Sequence, residues 1–331
     1  MITVNELFSG IGAQRAALER AGIEHRVVGI SEIDKYAIKS YEAIYGETRN
    51  YGDISKVDKL DYADFWTYSF PCTDISVAGQ QKGIVKGETR SGLLYEVQRL
   101  LEVAVHTHTH TQPKWLMLEN VKNLVGKKFR AQFDEWCDWL DGIGYNTYWQ
   151  VLNAKDYGVP QNRERVFAVS VRKDIDDGNF RFPDKKFLDI RLKDILEDEV
   201  DEKYYLSDKI LRGFKAHNER HAEKGTGFIF KPRDTDGIAS TIRANSSLCP
   251  TDNAVCIQAG SLNHYNGAMV ANDSRIRRLT PLECWRLMGF TDEAFRKAEA
   301  VCSNSQLYKQ AGNSIVVDVL VGIFKNLFRE D

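Results

Sequence analysis

Cys72 closes an apolar run, Ser69-Phe70-Pro71-Cys72. A thiol at the rim of an α/β sheet sits where covalent nucleophiles usually sit, and the proline fixes the backbone just before it. The competing reading is a small buried hydrophobe, the commoner fate of a cysteine. Two other apolar runs end in groups suited to a nucleobase. Trp115–Leu118 leads into Glu119-Asn120-Val121, whose carboxyl can protonate or hydrogen-bond a ring nitrogen. After Pro160 comes Gln161-Asn162-Arg163-Glu164-Arg165. Arginines there suit a base carbonyl, a phosphate or a catalytic carboxylate, or they form a surface ion-pair cluster with Glu164. A second set of residues suits a nucleoside. Phe8-Ser9-Gly10-Ile11-Gly12 ends the first apolar run and enters a helical pattern, so backbone amides can face a ligand at a helix N-terminus. Glu32 ends the second run and suits ribose hydroxyls, while Asp53 in Gly52-Asp53-Ile54 suits an adenine amine. Taken singly, the glycines are equally a tight turn and the acids are solvated loop carboxylates.

These groups need a scaffold that brings strand ends together. Six short apolar runs read as strands: Ile2–Phe8, Arg26–Ile30, Asp64–Phe70, Trp115–Glu119, Thr147–Leu152 and Val166–Val171. Their continuous hydrophobicity predicts a parallel sheet covered on both faces. Helical patterns lie between them at Ala13–Ala21, closed by Gly22, at Tyr36–Tyr45, closed by Gly46, and at Gly92–Val105 and Phe129–Leu140. The alternation is that of a doubly wound, Rossmann-like α/β domain. The basic, glycine-rich segment from Gly79 to Gly92 reads as a loop able to close over a polyanion.

After Arg172 the pattern breaks. Residues 173–274 read as a small, irregular, mostly-β domain, with strand-like pieces at Phe228–Phe230, Ala254–Gln258 and Ala268–Val270. From Arg275 the chain reads as helical again. Thr280-Pro281 opens a helix to Met288, and Val316–Phe328 forms another.

Bulk composition narrows the class. The chain has 331 residues, 43% of them hydrophobic, and no apolar run long enough to span a membrane. Its start reads as a first strand rather than a signal peptide, so a cytoplasmic protein is expected. Six cysteines without a CxxC pair argue against a zinc site or a disulfide scaffold. Alternating His106, His108 and His110 lack accompanying carboxylate or cysteine ligands and read as a solvated helix end or loop, so no metal is expected. The net charge of −2 counts mildly against nucleic acid, but Lys203–Arg286 carries thirteen Lys/Arg against eight Asp/Glu.

The order of these motifs resembles the DNA (cytosine-5) methyltransferase family, bacterial or phage type. The resemblance covers Val4–Val171 and Arg277–Phe324. It is carried by Phe8-x-Gly10-x-Gly12, Phe70-Pro71-Cys72, Glu119-Asn120-Val121, Gln161-x-Arg163-x-Arg165, Arg278-Leu279-Thr280-Pro281-x-Glu283, Arg286–Phe290 and Gln310-x-Gly312-Asn313-Ser314. Such a combination is far more specific than any one pattern. One departure is Thr73, where the family usually has Gln, and its effect is open. A Cys-Phe-Thr tripeptide of the transfer-RNA-modifying branch is absent from the sequence.

The resemblance implies a catalytic domain of residues 1–172 and 275–331, with 173–274 as target recognition domain. It implies Cys72, Glu119, Arg163 and Arg165 as catalytic residues. It implies an S-adenosylmethionine pocket of Phe8, Gly10, Ile11, Gly12, Glu32, Ile33, Asp53, Ile54, Phe70, Asn313 and Ser314. The expected reaction flips a cytosine out of duplex DNA, adds Cys72 to carbon-6 and methylates carbon-5. Expected DNA contacts are Ser76, Lys82, Arg90, Lys231, Arg233, Arg243 and Asn245, and Thr241-Ile242 resembles a dipeptide of such recognition domains. The expected partner is double-stranded DNA, bound by a monomer. A restriction–modification role, with a separate cognate endonuclease, stays open against an orphan or phage role. The rivals are a nicotinamide oxidoreductase, which leaves Cys72, Glu119 and Arg165 unexplained, an RNA methyltransferase, and a non-catalytic DNA-binding relative.

Overall fold

Every run read as a strand in the first half forms one. In this computed structural model, which describes residues 1–76, 81–107, 112–225, 229–244, 253–257 and 275–329, the strands in chain order are β1 (Ile2–Leu7), β2 (His25–Ser31), β3 (Phe65–Tyr68), β4 (Trp115–Val121), β5 (Tyr145–Asn153), the two-residue β6 (Gln161–Asn162) and β7 (Glu164–Arg172). The intervening helices are α1 (Ala13–Ala21), α2 (Lys35–Tyr45), α3 (Leu94–Thr107) and α4 (Arg130–Gly142). Gly22 ends α1 in the left-handed region, where glycine meets no Cβ penalty, and its N–H donates to the last carbonyls of the helix.

Six strands form one sheet in the order β2-β1-β3-β4-β7-β5. β1 to β4 pair in parallel, but β7 runs antiparallel to both β4 and β5. The expected all-parallel sheet is therefore corrected at one strand. The link from β5 to β7 holds only a helical turn at Ala154–Tyr157 and β6, too little for the crossover that parallel neighbours need. Side chains alternate across the sheet. Val4, Phe65, Met117, Phe167 and Val169 enter one core with α1. Trp66, Tyr68, Leu116, Leu118, Val166 and Ala168 enter the other with α3 and α4.

The stretch after Arg172 departs further from expectation. Its longest described element is a seventeen-residue helix, α5 (Asp208–Lys224). Its described strands are short: β8 (Ala239–Ser240) and β9 (Ala254–Ile257). Phe228 and Ala268–Val270 fall outside the described residues, and Ile229–Phe230 is not a strand. Among its described residues, Phe180, Leu192, Ala239, Ile242 and Val255 join the first core. Arg275 does not open a helix but β10 (Arg275–Arg278), antiparallel to β9.

Four helices close the fold: α6 (Pro281–Arg286), α7 (Asp292–Glu299), α8 (Asn304–Asn313) and α9 (Val317–Leu327). Thr280 caps α6 through a capping box with Glu283 and places Pro281 in the first turn. Glu283 also receives both terminal nitrogens of Arg277, at 2.9 and 2.7 Å, with Arg277 1% and Glu283 0% exposed. α9 packs on α1 and fills the first core with Leu320, Ile323 and Phe324. No described helix is long and apolar enough to cross a membrane.

Candidate active site

The turn after β1 is bent by three left-handed residues: Phe8 at φ 57°, Gly10 at 55° and Gly12 at 78°. Phe8 carries a Cβ, so its conformation costs roughly 1–3 kcal/mol, a strain typical of functional sites. Gly12 is required for a second reason. A Cβ there would lie 2.5 Å from Tyr45 Cε2 and 2.7 Å from Tyr41 Cε2. These two α2 rings, one turn apart, support the glycine turn from below, and the Tyr45 hydroxyl donates to the Gly12 carbonyl at 2.8 Å. Tyr41 in turn donates to the fully buried Glu6 at 2.6 Å. Burial pushes the Glu6 carboxyl up to about 7 against the opposing Tyr41 bond and Arg15 charge. This support was missed from sequence, although the spacing of Tyr41 and Tyr45 was a visible signal.

Glu32 lies beside that turn. Its carboxylate accepts from the amides of Gly10 at 2.9 Å and of Ile33 and Asp34 at 2.8 Å each. Ile33 next to it is 70% exposed, an apolar side chain open to a flat ring. Asp53 instead caps the turn at Ile54, accepting from the amide and hydroxyl of Ser55, which holds its carboxyl below the usual range. Ile11, Ile54 and Phe70 are buried in the two cores, so only their backbones are available to a ligand. Asn313 is exposed and Ser314 buried at the end of α8. A left-handed glycine turn, an acid beside it and an exposed apolar side chain fit a nucleoside-bearing methyl donor.

Cys72 follows β3 and is half-buried. Its carbonyl accepts from the amides of Ile75 and Ser76, giving the chain a tight turn. Ser91 ties that turn down: its hydroxyl donates to the Pro71 carbonyl at 2.7 Å and its amide to Asp74 Oδ2 at 3.1 Å. Asn120 joins the neighbouring strand ends by donating to the Phe70 carbonyl at 3.0 Å. Glu119 pairs with Phe167, and Val121 with Arg165, across β4 and β7. Arg165 is thus the diagonal neighbour of Glu119 on the same face. Its Nε lies 3.3 Å from Glu119 Oε1.

Burial dominates the electrostatics. It raises the Glu119 carboxyl, opposed by the charges of Arg165 and Arg163. It also raises the Cys72 thiol, helped by the Glu119 charge and opposed by Arg165 and Arg163. The arginines therefore moderate the thiol without making it acidic before substrate enters. Glu119 tends toward the protonated form, which can donate to a ring nitrogen.

Arg163 is held more deeply than Arg165. It is 3% exposed, and its guanidinium donates to the carbonyls of Ile242 at 2.8 Å, Gly312 at 3.1 Å and Ser314 at 2.7 Å. Burial and the neighbouring Arg165 bring its pKa down to about 9, so it stays charged at neutral pH. The two arginines of the motif are thus held differently: Arg165 lies against Glu119, while the terminal nitrogens of Arg163 are taken by three carbonyls and its charge still acts on Cys72 and Glu119.

Of the expected DNA contacts, Lys82, Arg90 and Lys231 are exposed, and Ser76, Arg233 and Arg243 are half-buried. Arg233 bonds the Ser240 hydroxyl and is bridged to Val255, so it is built into the framework. Asn245, Gly79, His108 and His110 lie outside the described residues, while His106 is in the last turn of α3. No cluster of metal ligands occurs among the described residues.

Comparison with known proteins fits this geometry. The model of C-5 cytosine-specific DNA methylases matches residues 2–329. The chain belongs to that family. It is 36% identical to Type II methyltransferase M2.ScrFI of Lactococcus lactis subsp. cremoris, with 99% of each chain covered. It is 32% identical to Orphan methyltransferase M.SPBetaI of Bacillus phage SPbeta, covering 98% and 97%. Among solved structures, the S. pombe Dnmt2 methyltransferase superposes with a TM-score of 0.71 at 20% identity, covering 98% of this chain and 97% of that one. A putative DNA modification methyltransferase from an Escherichia coli prophage gives 0.64 at 20% identity over 99% of each. These structural likenesses carry the fold alone. The family carries the activity: the chain is a C-5 cytosine-specific DNA methyltransferase with a Rossmann-like catalytic sheet.

Proposed function

We propose that the enzyme methylates cytosine in double-stranded DNA through a covalent adduct of Cys72. The observation that carries the reading is the convergence of Cys72, Glu119 and Arg165, with Arg165 3.3 Å from Glu119 and both charges acting on the thiol. A cytosine must leave the helix to reach them, at a cost of a few kcal/mol. The Cys72 thiolate adds to carbon-6, and its electron pair moves through the ring as Glu119 gives a proton to the ring nitrogen. Arg165 holds Glu119 in place and donates to the base carbonyl. When bound, S-adenosylmethionine supplies an electrophilic methyl group to the activated carbon-5. Residues Phe8, Gly10, Ile11, Gly12, Glu32, Ile33, Asp53, Ile54, Phe70, Asn313 and Ser314 would hold it, Ile11, Ile54 and Phe70 through their backbones. Loss of the carbon-5 proton to a base then lets Cys72 leave and restores the ring.

The segment after Cys72, with Ser76, Lys82 and Arg90, would meet the DNA backbone. Residues 173–274 would read sequence through Lys231, Arg233, Arg243 and Asn245. In this reading the catalytic part is 1–172 and 275–331, the enzyme acts as a cytoplasmic monomer, and a cognate endonuclease would be a separate protein. Relatives of both the type II and the orphan kind resemble this chain, so either setting is compatible with it.

The test is transfer of labelled methyl from S-adenosylmethionine to unmethylated mixed-sequence duplex DNA, with Cys72→Ser alongside. Label at carbon-5 of cytosine that disappears in the variant, a fall of about 10⁴-fold or more, supports the reading. Transfer that survives the substitution would exclude Cys72 as the nucleophile, and label confined to RNA would replace the substrate.

A further inference from the structure

Residues 239–244 are fastened to the catalytic framework at β6, and the fastening continues to the proposed cofactor pocket. β8 pairs in parallel with β6, and the Ala239 amide donates to the Pro160 carbonyl at 2.8 Å. Thr241 Oγ1 donates to the Asn162 carbonyl at 2.8 Å. Buried Gln161 accepts from the Ile242 amide at 2.9 Å and donates to the Leu287 carbonyl at 2.7 Å. Arg163 takes the Ile242 carbonyl and, with its other terminal nitrogen, the carbonyls of Gly312 and Ser314. One buried guanidinium thus touches the recognition segment and the end of α8 together.

Gly312 makes the contact close. A Cβ there would fall 2.1 Å from both the Ala244 nitrogen and the Arg243 carbonyl carbon. No side chain fits, so backbone rests on backbone and a shift of one must move the other. α8 is in turn docked on the start of α2. Lys309 Nζ donates to Asp34 Oδ2 at 2.6 Å, and Gln310 Nε2 to the Tyr36 carbonyl at 3.0 Å. The Asp34 amide donates to Glu32, whose other oxygen holds Gly10. Polar contacts joined through the body of α8 therefore run from residues 239–244 to the glycine turn.

We propose that Arg163, with Gln161 and Gly312, is a positioning hub that couples the seating of recognition residues 239–244 to the methyl-donor pocket. Arg163 is a positioning residue: it acts through Gly312 and Ser314 and touches no reacting atom. The proposal rests on the cofactor assignment made above. Because coupling is reciprocal, DNA tightens the donor product's binding by the same factor that the product tightens DNA's. The charged fork of Arg163 is needed, since a lysine keeps the charge but lacks the planar donors that reach three carbonyls.

The experiment has two parts, both with S-adenosylhomocysteine as probe. In the unaltered enzyme, hydrogen exchange is followed with and without the probe. Slowed exchange at the glycine turn together with residues 239–244 is expected. Slowed exchange at the turn with 239–244 unchanged would overturn the coupling and leave the cofactor assignment standing, whereas no change at either site would remove both. In the second part the probe's Kd is measured by calorimetry with and without unmethylated mixed-sequence duplex DNA. DNA is expected to tighten it by about 5–150-fold, and Arg163→Lys and Gly312→Ala to bring that ratio close to one. A variant that melts lower yet keeps the full ratio would reduce the hub to ordinary packing, and if neither variant folds, the exchange measurement decides.

Discussion

Arg277–Glu283 and Arg165–Glu119 bring the same two side-chain types together out of water, and they differ in how far the carboxylate is satisfied. Glu283 is saturated. It takes both terminal nitrogens of Arg277 and also the amides of Thr280 and Glu197, at 2.8 and 2.9 Å. Glu119 has a 3.3 Å contact to Arg165, the Ser69 side chain beside it, and burial that favours its neutral form. A buried ion pair supports a fold when every lone pair is used. One left partly unsatisfied keeps a proton in reserve, and that serves chemistry. The first pair should therefore govern stability and the second turnover.

Four substitutions or conditions can break that division. The largest effect is expected at the reacting pair. Glu119→Gln should lower the single-turnover methylation rate by about 10²–10⁴-fold with a melting temperature at or above that of the unaltered enzyme; a stability loss as large as the activity loss would erase the distinction. Next comes Glu283→Ala, which leaves Arg277 buried without its partner. It should cost about 3–5 kcal/mol in denaturant unfolding while the rate per folded molecule changes little.

Third is the pH profile of kcat/KM. Reaction needs Cys72 ionised and Glu119 protonated, while burial raises both groups, so the active form is the singly protonated pair with its proton on the acid. The rate should rise as the pair loses its first proton, level off, and fall as it loses the second. In Glu119→Gln the plateau should vanish and the rate should climb about tenfold per pH unit until the thiol is ionised. A plateau that survives would assign the proton elsewhere. Smallest is Thr280→Ala. It removes the bond from the Glu283 amide to Thr280 Oγ1, at 3.2 Å, and the one that Oγ1 donates to Glu197, but leaves the Arg277 pair intact. About 1 kcal/mol of stability should be lost, with methylation unaltered.

Legibility followed the same division. The sheet and its first helices could be read because continuous apolar runs and glycine stops are local signals: α1 ends at Gly22 and α9 spans the expected turns. The direction of β7 could not, because hydrophobicity does not report which way a buried strand runs. α5 was hidden by its charge, since only a narrow face, with Phe214 against Phe230, is packed. Cys72, Glu119 and Arg165 were legible as strand-end groups. The three carbonyls bound by Arg163 were not legible, because a motif gives residue type and spacing but not the face from which distant carbonyls arrive. Gln161 and Gly312 were visible within motifs, yet nothing in their spacing told that residues 242–244 would pack against them.

The packing of α9 on α1 has a consequence for synthesis. α1 leaves the ribosome early, within the first twenty-one residues, and its partner α9 ends at Leu327. At roughly 5–20 residues per second, one face of the sheet, including Phe65 and Met117, has to wait on the order of tens of seconds for Leu320, Ile323 and Phe324 to cover it. During that interval a nascent chain already carries Cys72, Glu119 and Arg165 but not the α8 segment that completes the proposed pocket. Premature termination between β7 and α8 would thus release a chain with its nucleophile but without activity, and with a sticky sheet face that marks it for chaperones and proteases.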